Sequence, residues 1–170
     1  MQSAVPEGVG AMAAVIGLAG EEVATICAEN SQENALVEAA NFNDTKQTVI
    51  AGHKAAVEAL GPLLKEAGAR RVLPLPVSAP FHCALMAPVA DQLRPVLESM
   101  EIRKPRCPVI ANVTANPNKD ADQIVDLLVR QVTGSVRWVE SVQTLAKIGI
   151  TEAYELGPGR ALAGMIKRIE

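Results

Sequence analysis

A single histidine in this chain stands where a reactive base could be held. The stretch Ser78-Ala79-Pro80-Phe81-His82-Cys83-Ala84-Leu85-Met86 places it where an extended run gives way to a helix. Upstream, Arg71-Val72-Leu73-Pro74-Leu75-Pro76-Val77 alternates bulky apolar residues with small or turn-forming ones, and Pro80 restricts the residue before it to extended geometry. His82 is thus expected on a rigid edge, where an imidazole suits proton transfer near neutral pH. Such a base serves a nucleophile, yet none of the serines lies in a Gly-x-Ser-x-Gly turn. A lone histidine beside an apolar strand is also commonly structural, so the residues alone leave both readings open.

The other candidates are weaker. Cys83 adjoins His82, but neighbouring side chains diverge at a strand end or helix start, so a thiol–imidazole pair at that spacing is geometrically poor. Ser78 has no strained turn to expose its hydroxyl. His53, in Ala51-Gly52-His53-Lys54, reads as a surface residue at a helix start, and two histidines without paired acids support no metal site. Asn41 and Asn43 most simply make turn hydrogen bonds. Gly157-Pro158-Gly159 is too short for a dinucleotide or Walker pattern and reads as a tight strand-to-helix turn. Arg70, Arg71, Arg103, Lys104 and Arg106 are scattered charges that solvation explains, although an acidic partner or coenzyme phosphates would also meet them.

The elements that must position His82 follow from periodicity and breakers. The pattern predicts a strand over 11–17, a helix over 20–30 with acids in its first turn, and short strands over 35–40 and 47–51. The polar run Asn41-Phe42-Asn43-Asp44 is expected to turn between those two strands. A helix over 53–67, with Val57, Leu60 and Leu64 on one face and Gly68 beyond its end, leads to a strand over 71–77. This βαββαβ order suggests a ferredoxin-like subdomain over residues 11–77. After His82 the expectation is a helix over 84–100 that Pro95 would kink, a strand over 109–113, helices over 120–133 and 138–148, a strand over 151–156 and a last helix over 160–169. These βα units would belong to a parallel sheet covered by helices, of which the chain supplies only the later strands.

Composition narrows the class. A chain of 170 residues, 49% apolar but only 2% aromatic, can bury a core, which Ala, Val, Leu and Ile must then fill. A net charge of −3 without basic runs gives nucleic acid nothing to grip. Cys27, Cys83 and Cys107 match neither a disulfide framework nor a Cys-x-x-Cys metal site, which points to a reducing cytoplasm. No stretch has the length of a transmembrane helix, and the first residues lack the pattern of a signal peptide, so no membrane partner is expected.

Five segments carry a resemblance: "VPEGVGAMAAVIGL", "EAANFNDTKQTVIAGHKAAVEAL", "VSAPFHCALM", "LLVRQVTGSVRWVESV" and "YELGPGRALAGMIKRI". Together they resemble the malonyl-CoA:acyl carrier protein transacylases of bacterial type II fatty acid synthesis, in the same order and over essentially the whole chain. The resemblance implies a C-terminal part, with the Gly-His-Ser-x-Gly nucleophile elbow and a substrate-binding arginine lying before Met1. It divides the chain into a linker over 1–10, the ferredoxin-like subdomain over 11–77, and over 78–170 the C-terminal part of a catalytic acyltransferase domain with an α/β-hydrolase-like parallel sheet. It implies that His82 is the general base, that the backbone carbonyl of Gln131 orients it in place of an aspartate, that Phe81 disfavours a branched acyl group by about 1–3 kcal/mol, and that Asn41 contacts the acyl thioester at a cleft. The implied partners are acyl carrier protein and a coenzyme A thioester, with no metal or redox cofactor, and the fragment by itself is expected to be inactive. The alternatives are an acyltransferase domain fragment of a polyketide synthase and a non-catalytic module that binds carrier protein or thioester.

Overall fold

The computed structural model describes residues 5–6, 8–77 and 79–169. Its first unit runs β1 (Gly10–Ile16), α1 (Gly20–Asn30), β2 (Val37–Asp44), β3 (Gln47–His53), α2 (Lys54–Glu66) and β4 (Arg71–Pro74). The strands form one antiparallel sheet in the order β2-β3-β1-β4. Two helices in a βαββαβ chain cross over the same face of such a sheet, and here α1 and α2 both pack there. Val15, Val23, Cys27, Val37, Ile50, Val57, Leu60 and Leu64 fill the layer between them. With so few aromatic rings available, backbones must approach closely. Gly52 shows how closely: a Cβ there would lie 2.1 Å from the Leu36 carbonyl oxygen.

The sheet's opposite face is covered by the chain that follows β4. Met12, Ala14, Ala40, Val49 and Ala51 pack there against Cys83, with Leu75, Phe81 and Leu85 around them. The Pro80 ring enters where Gly10 has no side chain, since a Cβ at residue 10 would meet it at 2.4 Å. A short helical turn at Ala84–Met86 then leads into α3 (Ala87–Glu98), which continues through Pro95. Beyond it come β5 (Val109–Ala111) and β6 (Asn116–Asn118), α4 (Ile124–Thr133), α5 (Trp138–Lys147) and α6 (Ala161–Ile166). Val5, Ala79, Met86 and Val132 join α4 to the His82 segment.

Three expectations need correction. Asn41–Asp44 is part of β2, interrupted by register shifts at Ala39/Asn41 and Phe42/Asp44, and the turn falls at Thr45-Lys46. The Asp44 carboxylate accepts the Lys46 N–H at 2.8 Å, so the side chain that signalled a turn closes one two residues downstream. His53 ends β3 as a half-buried residue, not an ordinary surface one, and its Nδ1 accepts the Leu36 N–H at 2.9 Å. No parallel ladder forms among the described residues: β5 and β6 pair antiparallel with each other, and 151–156 is not a strand. Tyr154 and Leu156 in that segment are 82% and 93% exposed. A strand exists only through a neighbour's hydrogen bonds, and no described strand lies alongside this one.

Candidate active site

His82 has φ +60°, the left-handed region that a residue with a Cβ seldom enters. Contacts on both sides impose it. The Phe81 N–H reaches the Ala79 carbonyl at 3.1 Å, the Cys83 Sγ–H donates to the Pro80 carbonyl at 3.1 Å, and the Met86 N–H donates to the Cys83 carbonyl at 3.0 Å. Strained backbone of this kind turns one side chain out of the path of its neighbours.

The ring is held from α4. His82 Nδ1 lies 3.0 Å from the Gln131 backbone oxygen and 3.3 Å from Gln131 Nε2. A carbonyl can only accept, so the shorter contact requires Nδ1 to carry the proton. The Gln131 side chain has a separate role, donating from Nε2 to the Gly134 carbonyl at 2.9 Å. That bond fixes the amide's orientation, because the flipped form would press two oxygens together. Neutral His82 therefore presents an unprotonated Nε2, the lone pair that a general base needs. Sequence reasoning credited Gln131 with its main chain alone, whereas the side chain also braces the loop that follows α4.

A cavity of about 360 Å³ opens beside His82, with Cys27, Ser31, Glu38, Phe42, Thr133 and Ser135 in its wall. The Thr133–Arg137 segment is fastened to the outer edge of β2. The Val136 N–H donates to Ala40 at 2.8 Å, the Phe42 N–H donates to Val136 at 2.9 Å, and the Ser135 hydroxyl donates to Ala39 at 2.7 Å. Asn41 faces Val136 in this bridge and lies between the wall residues Ala39 and Phe42 without lining the cavity itself. Phe81 packs between the sheet face and α3, again outside the wall. The larger groove, about 860 Å³ between α2, β4 and Leu75–Val77, contains no residue of this cluster.

The cavity supplies no activated nucleophile among the described residues. Burial, and secondarily the Glu38 carboxylate, pushes the Cys27 thiol up to about 12. Burial likewise raises Cys83 to about 11, against partial relief from backbone hydrogen bonds. Both thiols stay protonated at neutral pH, and neither can attack. Ser31 accepts the Val37 N–H at 3.0 Å and Ser135 donates to Ala39, so neither hydroxyl meets the imidazole. Ser78 lies outside the described residues. His82 thus lines a cavity in which no described side chain is an activated nucleophile.

No family model matches the chain. The malonyl CoA-acyl carrier protein transacylase of Escherichia coli is 50% identical to it over 169 residues, which are 99% of this chain and 54% of that protein. The chain is homologous to malonyl CoA-acyl carrier protein transacylases. It spans about half the length of the curated transacylases it matches. An acyl carrier protein S-malonyltransferase from Vibrio cholerae superposes with TM-score 0.96 at 50% identity, covering 99% of this chain and 55% of that one. A malonyl-transacylase solved in complex with a type II polyketide synthase acyl-carrier protein superposes with TM-score 0.94 at 48% identity, covering 99% and 54%. The chain shares the α/β fold of these transacylase structures.

Proposed function

We propose that the chain is the C-terminal part of a malonyl-CoA:acyl carrier protein transacylase of fatty acid biosynthesis, with His82 as its general base. The observation that carries the reading is the 3.0 Å contact between His82 Nδ1 and the Gln131 carbonyl, which leaves Nε2 free to take a proton. In the first half-reaction a serine from the part of the protein not represented here attacks the malonyl thioester carbonyl. Its hydroxyl proton passes to His82 Nε2, the C–S bond breaks, and the imidazolium returns the proton to the departing coenzyme A thiolate. In the second half-reaction the phosphopantetheine thiol of acyl carrier protein gives its proton to Nε2 and attacks the malonyl-serine ester. The serine oxygen leaves and is reprotonated. The imidazolium is stabilised throughout by the carbonyl that accepts from Nδ1–H. Only an acyl group and protons move, so the reading calls for no metal or redox cofactor.

Residues 11–77 serve in this reading as the ferredoxin-like subdomain and 78–170 as the C-terminal part of the catalytic domain, with 1–10 as the linker. The antiparallel order β2-β3-β1-β4 supports the first assignment. In this reading Phe81 disfavours a branched acyl group and Asn41 contacts the acyl thioester; both stand beside the cavity of about 360 Å³ and outside its wall. The described residues contain no helix long and apolar enough to cross a membrane, and the proposed setting is the cytoplasm.

The test is intact mass after incubation with malonyl-CoA. The chain alone is compared with a hybrid that carries the part of the Escherichia coli transacylase the chain does not cover. The hybrid is expected to gain a malonyl adduct that holo-acyl carrier protein removes, and its His82→Ala form to gain it at least ~100-fold more slowly. An adduct on the chain alone, or full activity in His82→Ala, would overturn the reading.

A further inference from the structure

The left-handed turn at His82 is braced on one side by Pro80, buried against Gly10. What braces the other side lies far away in sequence. Glu38, on β2, reaches across the cavity wall, and its Oε2 accepts the Ala84 N–H at 2.7 Å. Ala84 opens the short helical turn, and Cys83 before it is extended at φ −140°, ψ 169°. The chain therefore passes within three residues from left-handed to extended to helical, and one carboxylate catches it at the last of these steps. A charge-assisted bond of this length is among the stronger ones a side chain makes to backbone. The same carboxylate raises the pKa of both Cys27 and Cys83, which places its charge between α1 and the His82 turn.

We infer that Glu38 is a positioning residue for His82: by holding the Ala84 N–H it fixes the turn that keeps His82 Nδ1 on the Gln131 carbonyl and Nε2 towards the cavity. Glu38 does not touch the imidazole or any reacting atom, so it acts through the backbone. The inference deepens the base assignment proposed above and rests on it.

Imidazole ¹⁵N spectra of the full chain at a pH where His82 is neutral read the tautomer directly, and amide exchange reads the Ala84 bond. The unaltered chain is expected to show a protonated Nδ1. Glu38→Leu, which removes the acceptor, should convert this to a mixed tautomer and reduce Ala84 protection about 10-fold or more. Glu38→Gln keeps an oxygen at the same reach and should restore the single tautomer. Ala84→Pro deletes the same bond from the donor side and is suited to its place, since proline fits a first helical position and needs an extended residue before it. It should reproduce the Glu38→Leu spectrum, and the double variant should add nothing further. In the hybrid enzyme, Glu38→Leu should lower kcat by up to about 100-fold while KM changes little. A single Nδ1–H tautomer in either Glu38→Leu or Ala84→Pro overturns the inference. Failure of the base assignment would instead show as an active His82→Ala hybrid, whatever the Glu38 variants do.

Discussion

The sheet unit over 10–74 and the helical region over 87–169 solve the same problem with unequal success. In the first, every strand has a neighbour, and both faces of the sheet are covered, by α1 and α2 above and by the His82 segment below. In the second, only Val129, Val132 and Val142 among the large apolar residues are buried, while Val109, Leu128, Ile148, Ile150, Tyr154 and Leu156 face solvent. The difference teaches that closure of a hydrogen-bond ladder and burial of apolar surface go together. Where the strand candidate at 151–156 has no described partner, its apolar side chains lack a cover as well, in a chain that spans about half the length of its relatives.

The contrast can be broken most forcefully at Leu64, fully buried on the inner face of α2. Leu64→Ala should cost about 2–5 kcal/mol in a urea titration, the range for a large buried aliphatic reduced to alanine. An effect below about 1 kcal/mol would mean that the sheet unit is no better packed than the helical region. Gly52→Ala comes next, since its methyl would collide with the Leu36 carbonyl; overpacking of this kind should cost about 1–3 kcal/mol, and hydrogen exchange should locate the loss at the β2–β3 pairing.

Alkali probes the same unit more gently. In the unfolded chain Cys27 ionises near the ordinary thiol value, whereas in the folded chain it keeps its proton to about 12. Over that window the folded state binds more protons, so stability is complete below about pH 9 and falls as pH rises, by on the order of 1 kcal/mol per pH unit for each such thiol. Urea midpoints at about pH 8 and about pH 10 should show the loss, and Cys27→Ala should flatten it. The smallest effect belongs to the other region. Leu156→Ala, at 93% exposure, should change stability by no more than about 0.5 kcal/mol. A larger change would show that this side chain is covered in solution.

How much of this was legible in the sequence divides along the same line. The helices from Gly20 to Asn30 and from Lys54 to Glu66 follow from local periodicity and breakers, and the first unit's order could be read because each of its elements meets its partner inside the unit. The extent of β2 could not, because Asn41-Phe42-Asn43-Asp44 is locally turn-like and is held extended by pairing with Thr48, Val49 and Gln47 and by the bridge to Val136. The strand expected at 151–156 does not form for the opposite reason: its residues favour a strand, but pairing is a property of neighbours and no described strand lies alongside it. At the site, the turn placed His82 where an extended run ends but left its role open, and its pairing with the Gln131 carbonyl followed from the resemblance. Glu38 was not. A glutamate on a strand gives no local sign that its partner is an amide 46 residues away.

The contact between His82 and Gln131 joins residues 49 positions apart, one in the segment that covers the sheet unit and one on α4 of the helical region. Nothing within either region alone selects which ring nitrogen carries the proton. A chain whose sheet unit has formed while α4 is still undocked therefore carries an ordinary, freely tautomerising histidine. The single tautomer comes into being when α4 docks, which makes the His82 ring a reporter of that docking.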